Sequence, residues 1–388
     1  MVKHLRDGWT RLPEALRFSL PVWLAARLLT TLFGFWIWKL RPQPPAEIMV
    51  FYEGLQPITE SWRGMFFGIW QRWDTVYYQT IVEKGYVIEK SSAFFPLYPL
   101  TARILFRLTG LGSLECLYLV STLAYLAAIV LLYALIKEKF NSTIARRSVM
   151  ALAVFPSSFF FLALYPQGLG LALVLFAILL AEKRYWFGCA IVSWLAGLTH
   201  STALPLSLIL LAEAVIFIRQ NTHPWRCVAL LVAGMPALGI GLFWAWRINQ
   251  NFPPIITILT TEFDRYPAPP WNNLLNWVAM LPHHLLAPDW LINSIALILT
   301  IASIIWTGRR ISIGWALYQV ALLIMVLGIG VNYDPLLSYN RYILSGFPIF
   351  TMLGWWVNTP VKRLIGFTLG VFGQVILLLL FLLWVWVG

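Results

Sequence analysis

Charged residues are scarce in this sequence. Only 11% of its 388 residues are Asp, Glu, Lys or Arg, whereas 60% are hydrophobic. A soluble domain typically carries about 25% charged residues, so this chain has too few charges to cover a surface that faces water. The composition therefore excludes an ordinary soluble domain and predicts a protein embedded in a membrane.

Cysteine is also rare. The three cysteines, Cys116, Cys189 and Cys227, lie in or beside apolar segments. Their spacing gives neither a metal-binding motif nor a disulfide framework, and we expect them to be small core residues.

Acidic residues are fewer than basic ones, which gives a net charge of +12. The basic residues occur in small groups at the ends of apolar runs and do not form a continuous phosphate-binding face. This pattern is typical of determinants of membrane topology, so no nucleic-acid partner is predicted.

Long apolar runs dominate what remains. No charge interrupts Leu364 to Trp386 or Ile311 to Tyr333. Because a helix of roughly 20 residues crosses a membrane and the runs do not alternate as barrel strands do, we predict an all-α polytopic membrane protein. Residues 1–388 are expected to form a single transmembrane domain. It would have about eleven spans: 18–39, 114–136, 148–164, 168–181, 185–199, 203–218, 227–247, 286–306, 311–331, 342–357 and 364–386.

The distribution of charges between the spans predicts the topology. With a cytoplasmic N-terminus, every inner connection is basic, and most acids fall on the outer side, as the positive-inside rule requires. Counting Phe94 to Leu108 as a span would move the Lys137 to Arg147 cluster outside, so we expect an interfacial helix there. The predicted outer loops are 40–113, 248–285 and 332–341.

The first outer loop contains Arg72-Trp73-Asp74, and the helical pattern that follows this motif ends at Gly85. Asp74 is suited to cap a helix that runs to Gly85, and Tyr77, Tyr78, Ile81 and Val82 would form its apolar stripe. A carboxylate in this place is equally suited to take a proton from an acceptor hydroxyl. From the residues alone, a cap and a general base remain alternatives for Asp74.

Three segments together resemble the PIG-V family of membrane glycosyltransferases, which contains the second mannosyltransferase of GPI-anchor synthesis: Arg72-Trp73-Asp74, Gly85-Tyr86 and Phe94-Phe95-Pro96-Leu97-Tyr98-Pro99. The resemblance is good over the first outer loop and looser over 156–168 and 339–348. It implies a GT-C-like fold, with a long first extracytoplasmic loop bearing interfacial helices. It further implies an inverting transfer from a polyprenyl-phosphate sugar, with Asp74 as general base and Arg72 and Trp73 supporting it.

The sequence departs from the family pattern at three positions. Tyr77 stands where His is common, Gln167 where an acid is common, and His200 where Arg is common. Together with Tyr78, these residues are predicted to contact substrate, and the departures bear on which substrate is used.

A lipid-linked phosphate requires a cation near an outer helix end, and Arg341 is predicted to begin such a helix beside Tyr339. An interfacial anchor is the alternative for Arg341. In the second loop, Trp271, Asn272 and Asn273 offer an aromatic and amide surface for a sugar. Arg27, inside the first span, is a costly charge without an evident partner.

No metal site and no cofactor are predicted, although a divalent cation is left open. The adjacent His283 and His284 do not face the same way on a helix, and Glu262 and Asp264 are a weak cation pair.

We predict a glycosyltransferase that moves mannose or another hexose from a polyprenyl-phosphate donor to a lipid or glycan acceptor. Its remaining partners would be membrane lipids. It is expected to be a multi-pass protein of a bacterial or archaeal cytoplasmic membrane, with its active site on the outer face. A lipid-linked-sugar flippase and a non-catalytic membrane scaffold are the alternatives.

Overall fold

The structure is a computed structural model that describes residues 12–40, 43–52, 55, 59–220, 226–284, 287–331 and 334–388. The basic N-terminal residues Lys3, Arg6 and Arg11 lie outside these ranges. The first half contains α1 (Glu14–Trp38), α2 (Ala46–Phe51), α3 (Trp62–Phe66), α4 (Thr75–Glu83), α5 (Leu97–Thr109), α6 (Ser113–Lys139), α7 (Ser142–Ala153), α8 (Gln167–Glu182) and α9 (Trp186–Gly197). The second half contains α10 (Leu206–Gln220), α11 (Arg226–Ala233), α12 (Met235–Asn249), α13 (Ile255–Glu262), α14 (Pro270–His284), α15 (Pro288–Arg310), α16 (Ile313–Leu327), α17 (Tyr339–Tyr342), α18 (Pro348–Trp356) and α19 (Pro360–Leu382).

Within the described residues, five helices are long and apolar enough to cross a membrane: Glu14–Trp38, Ser113–Lys139, Ser201–Gln220, Pro288–Arg310 and Pro360–Leu382. Shorter apolar helices are Gln167–Glu182, Trp186–Gly197 and Ile313–Leu327. Strand structure in the described chain is limited to β1 (Tyr266–Pro267) and β2 (Ile329–Gly330), which pair antiparallel. The predicted all-α polytopic membrane class is confirmed.

Helix α6 is the centre of the bundle and packs against α1, α5, α7 and α8. Its contact with α8 is close because Gly168 faces the backbone of α6. A Cβ atom at Gly168 would lie 3.1 Å from the Tyr125 nitrogen. Helix α9 extends the bundle from α8 to α12, α10 packs on α11 and α16, and α7 packs on α18.

The predicted span 148–164 is wrong as a continuous helix. Helix α7 ends at Ala153, and the chain continues through turns and a short 3-10 helix, Ser158–Phe161, to Pro166. The segment 154–166 is apolar because it is buried inside the protein. Irregular backbone at membrane depth is tolerated only in such surroundings.

Other predicted spans are interrupted. Residues 227–247 fall on two helices that meet at Gly234, with Pro236 in the first turn of the second helix. The predicted span 342–357 becomes α17, a 3-10 turn and α18, which begins at Pro348. The last span was predicted to reach Trp386, but α19 ends at Leu382 and Trp384 has a left-handed backbone, φ 65°.

The surface helices predicted in the first loop are present. Helix α4 ends before Gly85, whose φ of 88° suits glycine, and α5 ends at Gly110 with φ 69°. Helix α5 covers the segment predicted to lie in the interface.

Ion pairs connect several helices at one end of the bundle. Glu14 binds Lys137 (2.7 Å) and Arg146 (3.0 Å), which joins α1 to α6 and α7. Further pairs at this end are Lys139–Glu182, Lys183–Glu138 and Arg184–Glu213, at 2.8, 3.4 and 3.2 Å. Glu213 falls in the predicted span 203–218, and the other residues of these pairs fall in predicted inner connections. We call these residues the basic end.

Cys116 and Cys189 are buried and free, as expected of core residues. Nothing is described of the side chain of Cys227.

Candidate active site

The local turn at Trp73 positions the Arg72-Trp73-Asp74 motif. Trp73 has φ 55°, a left-handed conformation that costs roughly 1–2 kcal/mol for a residue with a Cβ atom. This turn directs the chain into α4 immediately after Asp74. Asp74 occupies the N-cap position of α4, as one of the two alternatives had it, but its side chain makes no capping hydrogen bond.

The Asp74 carboxylate instead pairs with Arg341. Arg341 Nη1 donates to Asp74 Oδ2 at 2.6 Å across 267 positions of sequence. The side chains are 15% and 6% exposed, so the pair is largely buried with the carboxylate as its more accessible half. The structure thus brings together an aspartate and an arginine that were predicted as separate site residues from the sequence.

Aromatic rings surround the Arg341 guanidinium. Its carbon lies 5.1 Å from the ring centres of Tyr342 and Trp386, 5.5 Å from Tyr165 and 5.8 Å from Phe160. Rings at these distances attract the cation and exclude water from it. Arg341 Nη2 also donates to the Tyr342 hydroxyl at 3.3 Å.

Tyr165 joins the motif to the irregular segment 154–166. Its hydroxyl accepts from the Asp74 N–H and donates to the Arg72 carbonyl, each at 3.3 Å. Tyr165 lies in the range 156–168, where the resemblance to the family is looser, and its contact with the motif was not predicted.

Arg72 is fully buried, and its contacts are with other groups than Asp74. Its Nε donates to the Leu382 carbonyl at 3.0 Å and its Nη1 to the Gln71 carbonyl at 3.2 Å. The guanidinium also lies 4.4 Å from the Trp384 ring centre. These contacts fix Arg72 to the C-terminal end of α19, and its support of Asp74 stays a prediction.

Tyr77 and Tyr78 line the inner side of α4 and are buried. Tyr77 stacks on Phe94 with ring centres 5.0 Å apart and lies 5.2 Å from Tyr52. Tyr78 contacts Phe94 and Tyr98 edge-on, and Tyr165 at 6.3 Å. The predicted apolar stripe of α4 therefore packs against the protein beside the Asp74–Arg341 pair.

His200 lies on the far side of Tyr342, with their ring centres 5.6 Å apart. Its Nδ1 accepts from the Thr202 N–H at 3.1 Å. Burial, together with the charges of Arg341 and Arg265, lowers the pKa of His200 to about 3. His200 is therefore neutral at physiological pH, so it does not supply the charge of the arginine common at this position in the family.

Two predicted residues lie apart from the pair. Tyr339 is buried and donates to Thr300 Oγ1 at 2.8 Å, which fixes α17 to α15. Gln167 begins α8, and its buried Oε1 has no hydrogen-bond partner within the described part of the chain. Their role in substrate binding stays a prediction.

Arg265 is a residue of this region that the sequence analysis missed. It donates to Ser338 Oγ at 2.9 Å, next to α17, and its charge acts on His200. The pKa of nearby Asp334 is raised to about 6, chiefly by burial and also by the charge of Asp289. The hydrogen bond from the Leu336 N–H and the charge of Arg265 lower this pKa but do not cancel the increase. The signal available in the sequence was weak, since Arg265 is one basic residue in a loop assigned to the acidic outer side.

Among the other candidates, Asn273 is buried and donates to the Leu327 carbonyl, while Trp271 is exposed. Glu262 pairs with Lys90 at 2.9 Å. No group of three or more His, Cys, Asp or Glu side chains that could hold a metal ion occurs in the described ranges.

Arg27 has found partners inside the bundle. It donates to Thr122 and, at 2.9 Å, to the Leu162 carbonyl, and its guanidinium lies 4.1 Å from the Tyr118 ring centre. It thereby satisfies a carbonyl of the irregular segment 154–166.

Several solved structures are similar to this chain. One is the oligosaccharyltransferase of Archaeoglobus fulgidus in complex with Zn and sulfate (TM-score 0.46, 13% identity), covering 94% of this chain and 53% of its own. Another is ArnT from Cupriavidus metallidurans bound to undecaprenyl phosphate (TM-score 0.49, 14% identity). The matched region covers 90% of this chain and 63% of the ArnT chain. This chain thus spans between half and two thirds of their lengths. No curated protein matches the sequence closely enough to count as a relative.

A family model described as Mannosyltransferase (PIG-V) matches residues 22–235, more than half of the 388 residues. The match contains the Arg72-Trp73-Asp74 motif, the irregular segment 154–166 and His200. It confirms the family predicted from the motifs of the first loop. The resemblance seen in one loop of the sequence thus extends from the first membrane helix to α12, and the chain belongs to the PIG-V mannosyltransferase family.

Proposed function

We propose that the protein transfers a sugar, mannose or another hexose, from a polyprenyl-phosphate donor to a hydroxyl of a lipid or glycan acceptor. The observation that carries the proposal is the Asp74–Arg341 pair, in which a carboxylate with 15% of its side chain exposed lies 2.6 Å from a more deeply buried cation. Family membership supplies the reaction class, and the geometry supports roles for particular residues.

Asp74 acts as the general base. As the acceptor oxygen attacks the anomeric carbon, its proton passes to the carboxylate. A bond forms between the acceptor oxygen and the anomeric carbon, and the bond from that carbon to the phosphate oxygen breaks. The attack from the opposite side inverts the anomeric centre, and polyprenyl phosphate departs.

Arg341 stabilises the charge that develops on the departing phosphate. Its buried Nε has no hydrogen-bond partner among the described residues, so one donor remains for a phosphate oxygen while Nη1 holds Asp74. Charge-assisted hydrogen bonds of this kind are stronger where aromatic rings exclude water. Arg72 also has one donor without a hydrogen-bond partner among the described residues, its Nη2, while its Nε and Nη1 donate to backbone carbonyls. Arg341 is the better candidate because it is the cation that pairs with Asp74.

The site is proposed to open on the outer face of a bacterial or archaeal cytoplasmic membrane, within a single transmembrane domain. The ion pairs between residues of predicted loops support this topology: Lys90–Glu262 and Arg341–Asp74 each join two outer loops. Lys137–Glu14, Arg146–Glu14, Lys139–Glu182 and Lys183–Glu138 each join two inner connections. Arg265 and His200 would contribute to the choice of substrate.

The decisive test replaces Asp74 with Asn in the full chain reconstituted in liposomes with labelled polyprenyl-phosphate sugars. We expect transfer to fall at least about 100-fold, the lower end of the general-base contribution, while the protein stays folded and inserted. The matched control is Glu47→Gln, which neutralises an exposed acid of the same loop and is expected to transfer normally. Near-normal turnover in Asp74→Asn would refute the assignment, and donor movement across the bilayer without product would indicate a flippase.

A further inference from the structure

The last six residues, Leu383–Gly388, fold back over the motif after α19 ends. Trp384 has φ 65°, so the chain turns sharply away from the helix direction. Trp384 and Val387 are buried, and Trp386 is half-buried. We call residues 383–388 the C-terminal segment.

The two tryptophans of this segment enclose Trp73. The ring centre of Trp73 lies 5.8 Å from that of Trp384 and 5.1 Å from that of Trp386, both edge-on. Outside this group of three rings lie two cations. The Arg72 guanidinium is 4.4 Å from Trp384, and the Arg341 guanidinium is 5.1 Å from Trp386.

The result is a continuous stack, here meaning a row of side chains in which each contacts the next, in the order Arg72, Trp384, Trp73, Trp386 and Arg341. Edge-on aromatic pairs and cation–ring contacts at these distances are each attractive. The stack begins at the residue two positions before Asp74 and ends at the residue that binds its carboxylate. It therefore fixes both partners of the ion pair from outside.

Hydrogen bonds hold the last residue of α19 and the C-terminal segment that follows it in place. Arg72 Nε donates to the Leu382 carbonyl at 3.0 Å, and Asn340 Nδ2 donates to the Val387 carbonyl at 2.7 Å. Asn340 precedes Arg341, so the segment is tied to the same two elements that carry the ion pair. At Gly388, an added Cβ atom would lie 3.3 Å from Arg341 Cβ.

We propose that Trp386 is a positioning residue for Arg341, and that the C-terminal segment completes the active site by holding the guanidinium against Asp74. This role deepens the transferase function proposed above and rests on it. The ring opposes rotation of the guanidinium away from the carboxylate, and the Trp73 contact stabilises the left-handed turn before Asp74. The segment acts through these residues and takes no proton itself.

The test compares Trp386→Leu and Trp386→Phe in the full reconstituted chain. A cation–ring contact in a desolvated site corresponds to about a tenfold change in rate, so kcat/KM of Trp386→Leu is expected to fall about tenfold. Trp386→Phe restores an aromatic face and is expected to lie within about threefold of the wild type. Trp356→Leu is the matched control, because Trp356 is 53% exposed on α18 and its ring contacts Lys362.

Amide hydrogen exchange provides a readout that does not depend on transfer. Exchange over residues 72–76 and 339–342 is expected to accelerate about tenfold in Trp386→Leu and to stay unchanged in Trp356→Leu. Full transfer by Trp386→Leu, equal impairment of Trp386→Phe, or equal impairment of the control would each overturn the proposal. If the wild-type protein transfers no sugar, the proposed function fails, and the exchange alone decides whether Trp386 positions Arg341.

Discussion

The Asp74–Arg341 pair and the basic end show two ways in which this membrane protein holds opposite charges. Asp74 and Arg341 are 15% and 6% exposed and lie among aromatic rings. At the basic end, Lys137 and Arg146 are 47% and 53% exposed and share Glu14. Water and salt screen the second group, whereas the first pair interacts in a medium of low polarisability. The distance between two opposite charges therefore says little about how much an ion pair contributes to stability, and the burial of the pair decides this contribution.

The largest expected difference between the two regions is in stability. Arg341→Met leaves the buried Asp74 carboxylate without its cation, which is expected to lower the free energy of unfolding by about 3–5 kcal/mol and to abolish transfer. Thermal unfolding in detergent and the liposome assay measure the two effects.

The double variant Asp74→Asn/Arg341→Met is the control for this interpretation. It removes both charges and is expected to recover most of the lost stability without recovering transfer. A double variant as unstable as Arg341→Met would show that the loss came from packing around the guanidinium.

A smaller effect is expected from pH. The pKa of His200 is about 3 in the folded protein and 6.5 ordinarily, so the unfolded chain binds the additional proton between these values. The stability that neutral His200 provides is complete above pH 6.5 and is lost as the pH falls toward 3. At pH 5 the loss is expected to be about 1–2 kcal/mol.

The His200 contribution is measured as the difference between wild type and His200→Gln in thermal unfolding from pH 7 to 4. Subtracting the two profiles is necessary because Asp334 also titrates in this range. Its pKa is raised to about 6 in the folded protein, so its protonation stabilises the fold as the pH falls, opposite to His200. Parallel profiles for the two proteins would show that His200 is protonated in the folded state.

The smallest effect is expected at the basic end. Lys137→Met removes one cation from Glu14 but leaves Arg146 beside it, and the pair is open to solvent. We expect little change in the melting temperature and no change in transfer, and less still in high salt. A loss comparable with that of Arg341→Met would end the contrast between the two regions.

The sequence was sufficient for the membrane class, most helices and both members of the ion pair. Asp74 was found from a local motif, and Arg341 from the requirement for a cation near a helix end. Their direct contact was not foreseen, because it joins positions 267 residues apart. No local pattern reports such a distance.

Residues of the C-terminal segment were assigned to the last membrane span for a related reason. Trp384 and Trp386 follow a long apolar run, and apolar side chains that face lipid look the same in a sequence as those that face protein. The same ambiguity made 148–164 look like a helix. In both cases the departure from helix lies next to Asp74 or Arg341.

The irregular segment 154–166 also constrains the order in which the protein assembles. Its polar groups are satisfied from distant parts of the chain: the Leu162 carbonyl by Arg27 of α1, and the Ser157 hydroxyl by the Asn340 carbonyl of α17 at 2.7 Å. Residue 340 is synthesised long after residue 157. Until it arrives, this stretch has the composition of an ordinary membrane helix, so we expect it to acquire its final shape after insertion, when the C-terminal third docks.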